Sequence, residues 1–542
     1  MRPMSAFKRQ MNSIFSSNKQ DEVPREVPVA AVETARKSEL LHITIFPFQN
    51  LSNDTDCNFI GYGIAEALYS KLAHVRGVHV IERSQLLAAV EKLNDVSYVV
   101  TDPSRALRLG MTFGARTVVY GSFEKTEKSI KISATLASQK ISPSTSHREV
   151  SGVYSDIFDL QSELALKLIS ALGIPINGTV VSTINRPEHN SINEYEWNSR
   201  GIESVDVSQD EDEAIYCFNQ AIMLNGDQAD MFLNLAIAYG CRCDYPRAIR
   251  TLDMAVSLEP RSCRAYNNRG AVYIRMGDYG RAISDYNKVI ELNPDFPAAF
   301  NNRGSVYYEK HDYRKAIADF TQAIKLNPDY ALAHYNRGIA SEMTQDVNSA
   351  IADYSMAIEL NPDYSAAYNN RGVAYSSIGN DDLAIADYNR VIELNPESAT
   401  AYNNRGNLHL KKGNHANALD DYSKAISLNP DSSEAYCNRA NVYYGIGDTD
   451  RAIIDYTAAI NLNCDYYGAY LNRGFVYESI GDKESAHEDF RKAIELDCKQ
   501  FQDLAMHEHA QDPANDGSED DWAGLLSETD PYNLDDSQDE SH

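Results

Sequence analysis

Residues 367–395 read AYNNRGVAYSSIGNDDLAIADYNRVIELN, and Pro396 follows. A close copy lies 34 residues upstream and another 34 residues downstream. Arg269, Arg303, Arg337, Arg371, Arg405, Arg439 and Arg473 fall in register at that spacing, and so do Pro260, Pro294, Pro328, Pro362, Pro396 and Pro430, with Cys464 in the next slot. A short repeated unit cannot bury its apolar faces alone, so neighbouring units must stack on one another. Within the unit, Gly372 and Ala384 are small enough to let two helices cross closely, while Tyr375 and Tyr388 are expected to fill the space between neighbouring units. Gly379-Asn380 supplies a tight turn between the helices, and Pro396 ends the second one because its ring cannot continue the hydrogen-bond ladder. Two degenerate copies precede the clear ones, giving nine units over 193–498.

Tyr368, Arg371, Gly372, Tyr375, Ala384, Tyr388 and Pro396 resemble the tetratricopeptide pattern, W-x2-L-G-x2-Y, A-x3-F, P, with Arg standing where Leu is usual. The resemblance implies an all-α solenoid, a right-handed superhelix of helical hairpins. It further implies that the concave groove binds an extended peptide or a partner helix.

Two polar rows run through the array. Each Arg is followed sixteen residues later by an Asp, as in Arg303/Asp319, Arg337/Asp353, Arg371/Asp387 and Arg405/Asp421. A bidentate pair suits a partly buried interface better than a lone charge does, so this reads as an internal ladder fixing register rather than a grip on acidic ligands. One residue before each Arg stands Asn268, Asn302, Asn336, Asn370, Asn404, Asn438 or Asn472. An amide offers donors and an acceptor that match a peptide backbone, as in the asparagine ladder of O-linked N-acetylglucosamine transferases that this row resembles. The same row is equally suited to bracing adjacent helices. Asn369, Asn403, Tyr308 and Tyr444, with Tyr335 and Phe475, complete the expected groove. The Lys that a chaperone carboxylate clamp requires before the Asn is replaced by Asn267, Asn301, Tyr335, Asn369, Asn403, Cys437 and Leu471, which argues against that partner.

Upstream the texture changes. LHITIFPF from Leu41 reads as a strand, IGYGIAEALYSKLAHV from Ile60 as a helix, and further strands are expected at Val78–Ile81, Thr117–Phe123, Ile130–Ala137 and near Val150. Helices are expected from Ser84, after Pro103, and over Asp156–Leu172. Together these give an α/β domain over 39–175, joined by a linker at 176–192. The order of ITIFPFQNLSND, VHVIERSQL, GARTVVYGSFEK and IFDLQSELALKLISAL resembles the TolB-like amino-terminal domain, which is often paired with tetratricopeptide arrays in bacteria. No catalytic residues follow from that resemblance. His79 and Glu82-Arg83 read as a surface strand end rather than a site.

The 542 residues carry a net charge of −28, and eleven of the acids lie between Asp512 and Glu540. Such a balance excludes general nucleic-acid binding, which needs a basic surface. Residues 1–38 read as a disordered arm, 499–511 as a capping helix and 512–542 as an acidic disordered tail. Cys241 and Cys243 read as small buried residues rather than a redox or metal pair. No apolar run is long enough for a membrane span, and no cofactor is expected. The sequence therefore points to a non-enzymatic cytoplasmic scaffold for a protein or peptide ligand. Two alternatives stand beside it: an exported envelope component, periplasmic if the start is misplaced, and an enzyme or regulatory subunit acting through the α/β domain.

Overall fold

The structure is a computed structural model; it describes residues 40–510 except 53, 84, 85, 87–99, 101, 139–143, 186–188 and 190, with side chains described as far as Leu496. The expected arm, the helix from Ser84 and the acidic tail lie outside the described residues. All the elements below belong to one compact unit that begins at Leu41.

The first part is a six-stranded sheet with β1 (Leu41–Ile45), β2 (Gln49–Asn50), β3 (Val78–Val80), β4 (Thr117–Lys125), β5 (Ser129–Ser138) and β6 (Ser144–Val153). Its order is β3-β1-β4-β5-β6, with β2 also on β4. β1 pairs in parallel with β3 and β4, and the last three strands form an antiparallel meander. Parallel neighbours need crossover helices, and α1 (Phe59–Ala73) and α2 (Pro103–Thr112) lie between the parallel strands in sequence. One face is covered by α1 and α3 (Ile157–Ala171), which bury Ile60, Ile64, Leu68, Leu164 and Leu168 against Ile43, Val119 and Ile132. On the other face Ala106 and Leu109 of α2 meet Phe46, Val118 and Ala137. Within the expected linker a short helix forms, α4 (Gly178–Ile184); Ile184 is fully buried and its carbonyl accepts from Lys71 Nζ at 2.8 Å.

Nine helical hairpins follow among the described residues. Their first, or A, helices are α5 (Ile192–Glu203), α7 (Ala229–Cys241), α9 (Cys263–Arg275), α11 (Pro297–Glu309), α13 (Ala331–Met343), α15 (Ser365–Ser377), α17 (Ala399–Lys411), α19 (Ser433–Gly445) and α21 (Tyr467–Ile480). The B helices are α6 (Glu211–Leu224), α8 (Tyr245–Leu258), α10 (Tyr279–Leu292), α12 (Tyr313–Leu326), α14 (Val347–Leu360), α16 (Asp381–Leu394), α18 (His415–Leu428), α20 (Thr449–Leu462) and α22 (Lys483–Ala510). The expected capping helix is thus continuous in backbone with the last B helix.

The hairpins share one plan, with Ala236 and Ala440 standing in the second and eighth where the others carry glycine. A methyl on Gly372 would lie 2.8 Å from the Tyr388 ring, so only glycine lets α15 and α16 approach this closely. Gly379 turns the chain at φ 81°, and His311 and Gln345 take the same left-handed turn without being glycine. Asp278, Asp312, Asp346 and Asp448 cap B helices by accepting from backbone amides three residues on. Asn395, extended ahead of Pro396, closes α16. Successive A helices approach one another more closely than successive B helices do, so the A helices line the inner side of the array.

Candidate functional site: the inner wall and the domain that covers part of it

The Arg row lies between helices. Arg371 donates from Nε and Nη2 to both oxygens of Asp387, at 2.8 and 2.7 Å, and from Nη1 to Ser355 Oγ of the preceding B helix at 3.0 Å. Arg303, Arg337 and Arg405 make the same fork to Asp319, Asp353 and Asp421. Every such Arg therefore ties three helices together, and the Asp hydrogen bond is the main cause holding Arg371 above the ordinary guanidinium range. The tyrosine rings of Tyr368 and Tyr375 flank that guanidinium, each centred 5.6 Å away.

The Asn row faces the preceding A helix. Asn302 donates to Asn267, Asn336 to Asn301, Asn370 to the Tyr335 hydroxyl, Asn404 to Asn369, Asn438 to Asn403 and Asn472 to Asn441. Asn268 is buried. This is bracing geometry: each amide spans the joint between two hairpins. Asn369 and Asn403 are hubs of the row, since Asn369 also donates to Asn370 and Asn403 to Glu434. Tyr308 is half-buried beside Tyr313, whereas Tyr444 is exposed on the inner wall.

Over the first hairpins that wall is covered by the α/β domain. His79, Glu82 and Arg83, expected at a surface, are instead at its centre. Arg83 grips Asp206 through Nε and Nη2 at 3.0–3.2 Å and donates to Asn234 at 3.3 Å. The Asp206 side chain is wholly buried; burial pushes its carboxyl up to about 6, against the pull of Arg83. Glu82 accepts from Asn267 at 3.1 Å. Arg264 lies between Glu66 and Asp230, at 3.2 and 2.8 Å, and over the Tyr69 ring. His79 meets His42 and Phe296 edge to face, and burial lowers the two imidazoles to about 3 and about 4 respectively. A shared apolar cluster joins Tyr62, Ile81 and Phe113 to Ile202, Phe218, Phe300 and Tyr330. The surface reading failed because these charges find partners across the seam, where unpaired they would be costly.

Close approach runs the length of the contact. A methyl on Gly63 would fall 2.1 Å from Ser199 Oγ, and one on Gly114 2.0 Å from Asn327 Nδ2. Asn327 donates to the carbonyls of Phe113 and Gly114, and Asn361 to Thr112 Oγ1 at 2.9 Å. Arg116 pairs with Asp329 and Arg108 with Asp363. A cavity of about 20 Å³ remains beside Tyr62 and Arg83, room for roughly one water. Farther along, the surfaces part into a cleft of about 510 Å³ between α2 and the sixth and seventh hairpins, with Arg105, Arg108, Asn369, Asn370 and Thr400 in its walls. Beyond it the inner wall is open; Val373, Tyr444 and Phe475 are 44%, 38% and 42% exposed.

A signal for the covered stretch was present in the sequence. Arg264 stands where later copies carry Ala298, Leu332, Ala366, Thr400, Glu434 and Gly468, and the first turn has an extra residue around Asp206. Cys241 and Cys243 are exposed rather than buried, because they end α7 and enter a turn with Cys243 at φ 60°. Among the described residues no group of three metal-binding side chains forms, and no helix is long and apolar enough to cross a membrane.

Family models described as "Tetratricopeptide repeat" match residues 263–296, 285–318, 399–432, 422–454 and 467–498, and one described as "TPR repeat" matches 304–345, 344–379 and 377–413. A curated relative, putative adenylate cyclase 3 of Rhizobium meliloti (strain 1021), is 28% identical over 134 residues, 25% of this chain and 21% of that one. The chain thus spans about a fifth of that relative. Among solved structures, MamA is 28% identical, covering 30% of this chain and 96% of that one, with a TM-score of 0.29. YrrB, described as a TPR protein with an unusual peptide-binding site, is 26% identical over 34% of this chain and 95% of that one, TM-score 0.30. A tetratricopeptide repeat protein of Parabacteroides merdae is 21% identical over 46% and 98%, TM-score 0.37.

Proposed function

We propose that this chain, whose residues 263–454 and 467–498 are tetratricopeptide repeats, is a non-enzymatic cytoplasmic scaffold that holds an extended peptide or partner helix on the inner wall of its last four hairpins. The observation that carries this reading is the contrast along one wall. Over the first hairpins the α/β domain covers it, whereas over the last four Val373, Tyr444 and Phe475 stand exposed. Each of these lies one helical turn beyond Asn370, Asn441 or Asn472, so the apolar anchors share a face with the row of bracing amides. The α/β domain, TolB-like in its order of segments, acts in this reading as a fixed end-piece that sets where the open groove begins. Its polar groups His79, Glu82 and Arg83 are consumed in the contact, which supports a binding role over a catalytic one.

The test is site-specific photocrosslinking in the native cytoplasm. A photoreactive phenylalanine at Tyr444, on the inner wall, is expected to capture a partner; the same group at Ile454, exposed on a B helix, is not. Equal capture at both positions, or capture at Ile454 alone, refutes the groove.

A further inference from the structure

We propose that the acidic segment around Trp522 returns along α22 as a short helix and covers the open end of the ninth hairpin, where Arg491 and Ile494 receive it. Two positions of the repeat identify that face. The first is apolar. Ile358, Ile426, Ile460 and Ile494 occupy one register position. The first three are buried, each in a cluster with the alanine and tyrosine that open the next A helix: Ala367 and Tyr368, Ala435 and Tyr436, Ala469 and Tyr470. Ile494 is 64% exposed. The second is polar. At each joint of the Arg row, Nη1 donates to an oxygen on the preceding B helix, from Asp253 at the first joint to Thr457 at the last. In the ninth hairpin the same position holds Arg491, exposed and without an ion pair among the described residues. Another hairpin of this array would set its own arginine against Arg491. A second copy meeting this face with its own would bring two Arg491 side chains together. Like charges in contact are costly, so the face selects an acidic occupant that carries no arginine.

The sequence of residues 511–542 fits that demand. It has no Lys or Arg. Ser518-Glu519-Asp520-Asp521 is a capping-box sequence with acids throughout the first turn, and Trp522, Leu525 and Leu526 follow at helical spacing. Trp522 and Leu525 repeat the spacing of Tyr470 and Arg473, with an apolar residue in the arginine's place. Asp521 and Glu528 lie one turn to either side of Leu525, so they share its face and are placed to meet Arg491. So short a helix is marginal alone in water and forms when its apolar side is covered. The chain can also reach. Ala510 ends a continuous helix sixteen residues beyond Ile494, a distance of about 24 Å. Residues 511–521 span up to about 36 Å when extended, enough to bring Trp522 back to Ile494.

The test reads Trp522 in the full chain. Tryptophan occurs twice, at 197 and 522, so Trp197→Phe leaves Trp522 as the single reporter. Its emission is expected to be blue-shifted and shielded from acrylamide relative to a synthetic peptide of residues 511–542, at every protein concentration. Ile494→Asp should lower the docked-to-free ratio about tenfold or more, because burial of a large apolar side chain is lost. Arg491→Glu should lower it about fivefold. Adding Asp521→Lys and Glu528→Lys to Arg491→Glu should restore the shielding. Arg491 and Ile494 are both exposed, so far-ultraviolet dichroism should stay that of the parent chain. A Trp522 as accessible as in the free peptide, or shielding unchanged in Ile494→Asp, overturns docking on this face. Shielding that appears only as protein concentration rises assigns the contact to a second copy and overturns the fold-back. Failure of the charge swap to restore shielding overturns the pairing with Arg491.

Discussion

Replacing Arg83 with Ala tests the contact between the α/β domain and the array at its most exposed assumption, that a charge pair is sealed there. The Asp206 side chain is 0% exposed and that of Arg83 9%. Removing one partner of such a pair leaves an uncompensated buried charge, at a cost of about 3–5 kcal/mol. Asp206 can relieve that cost by taking a proton. Burial already raises it from 3.8 to about 6 with Arg83 present, and without Arg83 it must rise further. A carboxyl whose folded pKa is raised contributes stability that is complete below the unfolded value and is lost as pH rises through the folded one. The Arg83→Ala penalty should therefore be largest near pH ~8 and shrink toward pH ~5. Urea unfolding of full chain and variant at the two pH values gives the loss from the midpoint and slope. Arg83→Met combined with Asp206→Leu, which removes both charges and keeps the volume, should recover most of it. A loss below about 1 kcal/mol near neutral pH, or one that does not change with pH, refutes a sealed pair.

Gly372→Ala sets a methyl 2.8 Å from the Tyr388 ring and should destabilise the chain by about 1–3 kcal/mol, read as a lower unfolding midpoint. A double-mutant cycle on Arg371 and Asp387, whose side chains are 17% and 7% exposed, should give a coupling above about 1 kcal/mol; near-zero coupling removes the ladder's structural role. His42 and His79 face each other, Phe296 and, more distantly, Asp329, and both have folded pKa values depressed from 6.5. Their contribution is present above 6.5 and is lost as pH falls toward about 4 and about 3, so His79→Gln should flatten the acid limb of a stability–pH curve.

The array was legible because its evidence repeats. Gly372, Tyr388, Arg371 and Asp387 each recur at a fixed interval, so helix pairing, turn and ladder could be read from spacing alone. The strands of the α/β domain were legible from alternation, as in LHITIFPF. The joint between the two parts was not. Glu82 meets Asn267 and Arg83 meets Asp206 across long stretches of chain, and each contact occurs once, so no periodicity marks it. Asn267 in particular looks like any other member of its row until Glu82 is placed against it. Nor does an amide row distinguish groove from brace: Asn404 reaches Asn369 only because stacking brings the two A helices side by side.

The central claim is that the α/β domain is fixed along the array and fixes where the groove opens. Its most direct test is a thiol cross-link between Thr112→Cys on α2 and Asn361→Cys at the end of α14, side chains that touch at 2.9 Å in the native pair. With a short bifunctional reagent and peptide mapping, the 112–361 link should form in high yield and ahead of links from the exposed Cys241, Cys243 and Cys464. Links among those native thiols with none between 112 and 361 would contradict the account.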